Sequence, residues 1–279
     1  MRIGIDSYSY HRLFGELRPG EAAPARSFAD SREVVAHARS LAVEGVSLET
    51  CYLDPPEVLD VDALRDAAGP VGLVVAWGHR HGLEYGANEA AVDDLLRWIE
   101  LAARLGCRLV RCVAASPPFR GVEPVEEQIA RTVRPLANAT AHARERGLRV
   151  AIENHGDLRA RELLELVERV DDDALGVCFD TANAVRVGDD AIEAARLLAE
   201  RTWMLHLKDV EPMANVTDPV AGPRSVPFGE GVVPVAEVLE AVRPSDPLVC
   251  VELGQLGPDA DELVLVEQGV AWLRAYSNG

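Results

Sequence analysis

The chain has 279 residues, 48% of them hydrophobic, with 28 basic side chains against 46 acidic ones and a formal charge of −18 at pH 7. Such a composition excludes a disordered chain, which could not bury enough apolar surface to offset the entropy lost on folding. The acidic balance opposes contact with phosphate backbones and anionic membranes, so a small-molecule substrate is expected, with no nucleic-acid or membrane partner.

The opening residues Met1-Arg-Ile-Gly-Ile-Asp6 meet a charge too early for a secretory signal. No run approaches the roughly 18 apolar residues of a membrane helix. The five cysteines (Cys51, Cys107, Cys112, Cys178, Cys250) are odd in number and form no C-x-x-C pair. They are expected to be reduced residues of a cytoplasmic protein, four of them in or beside apolar runs. Short runs rich in Val, Ile and Leu predict strands at 2–6, 45–49, 71–77, 107–113, 148–153, 175–180, 202–208 and 247–252. Between them lie amphipathic stretches with helical spacing, such as Val92, Leu95, Leu96, Ile99 and Ala102, or Leu163, Leu164, Val167 and Val170. Gly106 and Gly147 follow two such stretches, where helix-terminating glycines belong.

Eight strand–helix repeats in a chain of this length describe a single-domain (β/α)8 TIM barrel spanning 1–279. The alternative, a doubly wound sheet, lacks support, because Asp6-Ser-Tyr-Ser-Tyr10 stands where a G-x-G-x-x-G would follow the first strand. The longer insertions at 11–27 and 210–233 then become loops at the catalytic face. The sequence leaves monomer and homo-oligomer both open.

Function is read from what ends each strand. The apolar runs finish in Asp6, Glu49, Glu153, Asp180, His206 and Glu252, with Trp77 and His79 at the third. In a barrel these ends meet at one mouth. Glu153, Asp180, His206 and Glu252, from the last four strands, would repel one another unless a divalent cation neutralised them. Oxygen ligands with one imidazole favour Mn²⁺, with Mg²⁺ or Co²⁺ as alternatives. Lys208, two residues beyond His206, faces the same way by strand alternation and is the only lysine among the 28 basic residues. A compact ammonium there is expected to contact a substrate oxygen or donate a proton, unless it only balances nearby carboxylates. His155 shares the parity of Glu153 and is a candidate substrate contact or acid. His79, Trp77 and Asn183 are further candidate substrate contacts. Arg224, with Phe228-Gly-Glu-Gly231, lies in the loop after the seventh strand, which either caps a polyol, binds a phosphate through glycine amides or only shapes a turn.

The motifs Ile152-Glu-Asn-His155, Phe179-Asp-Thr-Ala-Asn183, Leu205-His-Leu-Lys-Asp209 and Val251-Glu-Leu-Gly254 resemble those of the xylose isomerase-like TIM-barrel superfamily, which includes sugar phosphate isomerases and epimerases. The resemblance implies Glu153, Asp180, His206 and Glu252 as ligands of one metal, and Glu153 and Glu252 as proton-transfer groups. It departs at Asn183, where ketose 3-epimerases carry histidine. The expectation is a metal-dependent isomerase or epimerase of a sugar-type hydroxyketone, acting through an enediolate. The alternatives are a lyase on a keto-cyclitol, dehydroshikimate-like acid or 3-keto-glycoside, and an inactive barrel that binds a sugar or a partner.

Overall fold

The alternating runs are realised as eight parallel strands closed on themselves. In the computed structural model, which describes residues 1–78, 81–216 and 222–279, these are β1 (Arg2–Asp6), β2 (Gly45–Glu49), β3 (Gly72–Ala76), β4 (Leu109–Val113), β5 (Arg149–Glu153), β6 (Leu175–Asp180), β7 (Thr202–Leu207) and β10 (Leu248–Val251). Their order around the barrel is β1-β10-β7-β6-β5-β4-β3-β2. The strands β8 (Asp209–Val210) and β9 (Ser225–Val226) form a small antiparallel ribbon after β7. Each predicted strand agrees with a barrel strand to within two residues at either end.

Helices pack around the outside. Those with the clearest sequence signals, α3 (Glu89–Leu105) and α5 (Ala160–Val170), bury Leu95, Ile99 and Ala102, and Leu163 and Val167, against the barrel. Gly106 ends α3 in the left-handed region at φ 78°, the geometry a helix-stopping glycine supplies. Inward-facing side chains make a separate plug of Val74, Leu109, Ala151, Cys178, Met204, Leu248 and Cys250. At Gly176 even a methyl group would overlap the Trp203 indole, so only glycine fits that strand position. Among the cysteines, Cys107, Cys112, Cys178 and Cys250 are buried, Cys51 is exposed, and all five are free. No helix among the described residues is long and apolar enough to cross a membrane.

Where the strands end, short polar side chains take over the ladder between neighbours. The Asn154 amide donates to the Asp180 carbonyl (2.8 Å) and accepts from the Asp180 N–H (2.7 Å), tying β5 to β6. The Thr181 hydroxyl accepts from the Lys208 N–H and donates to the Lys208 carbonyl (2.9 and 2.7 Å), tying β6 to β7. Ser9 accepts from the Leu253 N–H (3.0 Å), linking β1 to the chain after β10. These contacts fix the roots of the loops that carry the site.

The loop after β7 is organised by Asp209, which is 1% exposed. Its carboxylate accepts the N–H groups of Val210, Gly229, Gly231 and Val233 at 2.8 to 3.0 Å. The glycine amides considered above for a phosphate are therefore consumed within the loop. Asp209→Ala leaves the buried N–H groups of Val210 and Val233 without a partner and should lower unfolding stability by about 3 kcal/mol in a urea titration. Asp209→Asn, retaining one acceptor, should cost less.

Candidate active site

The mouth of the barrel is a cavity of about 990 Å³, with Glu153, His155, Asn183, Lys208 and Glu252 in its wall, a size suited to a small molecule. The strand-ending aspartates divide their two oxygens between fold and site. Asp180 Oδ1 accepts the Asn183 N–H (2.8 Å) and caps α6 (Thr181–Arg186), while Oδ2 lies 2.8 Å from Lys208 Nζ. Asp6 does the same from β1: Oδ1 accepts the Tyr8 N–H (2.8 Å) and Oδ2 faces His206 Nε2 at 3.4 Å. The opposite ring nitrogen, His206 Nδ1, stands 2.6 Å from Glu252 Oε2 and 3.8 Å from Glu153 Oε1. Lys208 Nζ also reaches Glu252 Oε1 at 2.9 Å. Arg111, inward-facing in the middle of β4, ion-pairs with Glu49 and places Nε 3.1 Å from Glu153 Oε2. Asn183 Nδ2 donates to Glu153 Oε1 at 3.3 Å.

Five carboxylates (Asp6, Glu49, Glu153, Asp180 and Glu252) are thus buried with Arg111, Lys208 and His206. Burial works against ionisation of Glu153, yet Arg111 and His206 hold its carboxyl well below the usual range. Glu252, likewise opposed by burial, is brought to about 2 by His206 and Lys208. Asp180 goes the other way, to about 6, because burial and the charges of Glu252 and Glu153 outweigh Lys208. His206 is disfavoured as a cation by burial, but Cys178, Glu252 and Glu153 keep it well above its ordinary value. His155 is lowered by burial, with Arg111 and Lys208 adding to the effect. Its Nδ1 lies 3.3 Å from the Ala115 carbonyl, which assigns the proton to Nδ1 and leaves Nε2 an acceptor.

The structure brings Glu153, Asp180, His206, Glu252, Lys208, His155 and Asn183 to one place, and it leaves two expected substrate contacts outside the cavity lining. Trp77 is fully buried behind the cavity wall, where its indole donates to Asp94 (2.8 Å). Arg224 is exposed and contributes backbone pairing with Gln255 and Glu211 outside the cavity lining. His79 lies outside the described residues. Sequence reading missed Arg111 and the positioning roles of Asp6 and Asn154. A charged residue within the apolar run Leu109–Val113 was the available signal for Arg111.

A parallel eight-stranded β/α barrel with a carboxylate–histidine cluster at its strand ends defines the class of protein. The chain belongs to the xylose isomerase-like TIM barrel family, whose model matches residues 35–276. It is 28% identical over 150 residues to the 3-oxo-isoapionate decarboxylase of Pectobacterium atrosepticum, covering 54% of this chain and 50% of that protein. It is 35% identical over 78 residues to the uncharacterized protein YihM of Escherichia coli, covering 26% and 24%. The matched stretches therefore span half or less of these curated relatives. Among solved structures, a D-psicose 3-epimerase in the presence of D-fructose superposes with TM-score 0.76 at 18% identity, over 100% of both chains. The probable 3-DHS dehydratase AsbF of Bacillus anthracis gives 0.72 at 16%, over 98% and 99%. An IOLI protein with a bound zinc atom gives 0.74 at 15%, over 99% and 96%. The proteins that the chain resembles thus carry the names of an epimerase, a probable dehydratase and a decarboxylase.

The cluster suits a divalent ion. Potential ligand atoms of Asp180, His206 and Glu252 all lie within 4.8 Å of one another, as do those of Glu153, Cys178 and His206. Glu153 Oε2, Asp180 Oδ2, Glu252 Oε2 and both His206 nitrogens are buried without an aligned hydrogen bond, even where an ion-pair partner is near. Burial raises the Cys178 thiol to about 11, which works against the thiolate that ligation requires. Loading Mn²⁺ at neutral pH should release the His206 proton, and affinity should fall further as pH drops through about 6, where Asp180 gains a proton. Titration calorimetry in buffers of different ionisation enthalpy measures both effects. Asp180→Asn should weaken binding by more than the roughly tenfold to hundredfold lost with an outer-shell partner.

Proposed function

We propose that the chain is a divalent-metal-dependent isomerase or epimerase of a sugar-type hydroxyketone, reacting through an enediolate. The observation that carries this reading is that Glu153 and Glu252, from separate strands, both reach the cavity and both approach the same ring nitrogen of His206. Glu153, Asp180, His206 and Glu252 would hold the ion, for which Mn²⁺ is our choice. The ion's contribution when bound is to stabilise negative charge on adjacent substrate oxygens.

The chain's own groups do the proton work. Glu252, ionised at neutral pH, is placed to take the proton from the carbon beside the carbonyl. In epimerisation Glu153, from the other side of His206, delivers a separate proton taken up from solvent, while Glu252 gives its own up to solvent. In isomerisation Glu252 itself hands the proton on. Lys208 and His155 face the substrate oxygens. Asn183 and Arg111 fix the orientation of Glu153 through its two different oxygens. Return on the opposite face gives an epimer, and return to the adjacent carbon gives an isomer.

A lyase is the second reading, favoured by a specific feature. Arg111 stabilises Glu153 as an anion, which suits a ligand better than a proton donor, and Asn183 replaces the histidine of ketose 3-epimerases. A curated relative is a decarboxylase of an oxo acid and a structural neighbour a probable dehydratase, so loss of CO₂ or water from an oxo-sugar acid is the competing outcome.

Proton NMR in D₂O with Mn²⁺ and a panel of ketohexoses, their phosphates and oxo-sugar acids separates the two. An isomerase should place deuterium beside the carbonyl of a ketose, and Glu252→Gln should slow turnover by at least roughly a hundredfold. Release of CO₂ or water from an oxo acid, with no ketose turned over, would install the lyase.

A further inference from the structure

Lys208 holds two of the residues that a metal would need. Its ammonium is 2.8 Å from Asp180 Oδ2 and 2.9 Å from Glu252 Oε1, joining carboxylates that follow different strands. The backbone of Lys208 cannot move easily, because its N–H and carbonyl are both tied to the Thr181 hydroxyl. Its four-carbon stem can, and the side chain borders the open cavity. A divalent ion bound to Asp180 and Glu252 would sit within a few ångströms of this ammonium, and like charges so close repel strongly in a buried site. Arginine serves as every other basic residue of the chain. Arg111 bridges Glu49 and Glu153 through separate nitrogens of a planar fork, whereas the Lys208 ammonium is a compact point charge on a flexible stem.

We propose that Lys208 is the resident counter-cation of the ligand cluster, and that a divalent ion entering the cluster displaces its ammonium from Asp180 and Glu252 into the cavity. Metal loading then does two things together: it completes the ligand set and presents a cationic proton donor to the substrate. The inference rests on the metal reading above and adds to it a competition between two cations for the same carboxylates.

The single lysine makes the test direct. Wild-type protein is treated with an amine-acetylating reagent with and without Mn²⁺, and peptide mass spectrometry separates Lys208 from the N-terminal amine. Mn²⁺ should accelerate acetylation of Lys208 severalfold and leave the N-terminal amine unchanged. In parallel, Lys208→Met should bind Mn²⁺ about tenfold or more tightly by calorimetry, since a competing charge is gone, and should melt earlier than wild type without metal. Lys208→Arg, which keeps the charge, should not gain affinity. Equal or slower labelling with Mn²⁺ bound, or Mn²⁺ affinity in Lys208→Met no higher than wild type, would overturn the displacement and leave the metal site standing. Failure of wild-type protein to bind Mn²⁺, Mg²⁺ or Co²⁺ at all would remove both.

Discussion

Burying carboxylates at one end of a barrel is the constraint from which the rest of the site follows. Two unit charges about 4 Å apart interact by roughly 4 kcal/mol at an effective dielectric constant near 20, so a cluster of five cannot persist without compensation. The compensation is graded by position. Arg111 serves Glu49 and Glu153 on the β2–β5 side, while Lys208 and His206 serve Asp180 and Glu252 on the other. Asp6 lies behind the imidazole, as the outer carboxylate of a metal-binding histidine does. The count of acids against cations favours a divalent ion more strongly than any single distance.

The same constraint explains why the strand ends could be found in the sequence. A charge that closes a run of Val, Ile and Leu is conspicuous, and eight such runs were legible because buried parallel strands are nearly continuous in apolar character. Glu153, Asp180, His206 and Glu252 announced themselves in this way. Arg111 did not, because a charge inside a run reads as an interruption until a partner across the barrel is known, and Glu49 is 62 residues distant in sequence. Trp77 failed for the opposite reason. It follows β3 directly, but its indole turns toward Asp94 on α3, and one-residue parity at a strand end is too weak to decide between cavity and helix layer. Arg224 belongs to a long loop whose path is set by Asp209 and the ribbon, neither of which has a periodic signature.

Asn183 joins the motif resemblance to the geometry. The position where ketose 3-epimerases carry histidine here donates an amide hydrogen to Glu153, through Nδ2, and a backbone hydrogen to Asp180. It supports two residues of the carboxylate cluster and keeps a place in the cavity wall. Replacing an ionisable ring with a neutral amide removes a proton carrier from the substrate's surroundings while retaining a hydrogen-bond donor. Under the proposed enediolate chemistry, which the cluster would serve whatever the outcome, residues around it such as Asn183 would choose among the reactions.

Anchoring through Asn154, Thr181 and Ser9 is confined to the first three residues beyond each strand. Asn183, three residues beyond β6, adds its own contacts to Asp180 and Glu153. A loop tip beyond these anchors can be lengthened, shortened or exchanged for another while the anchors still hold the cluster, which makes the tips the natural place for grafting new substrate preference onto this scaffold.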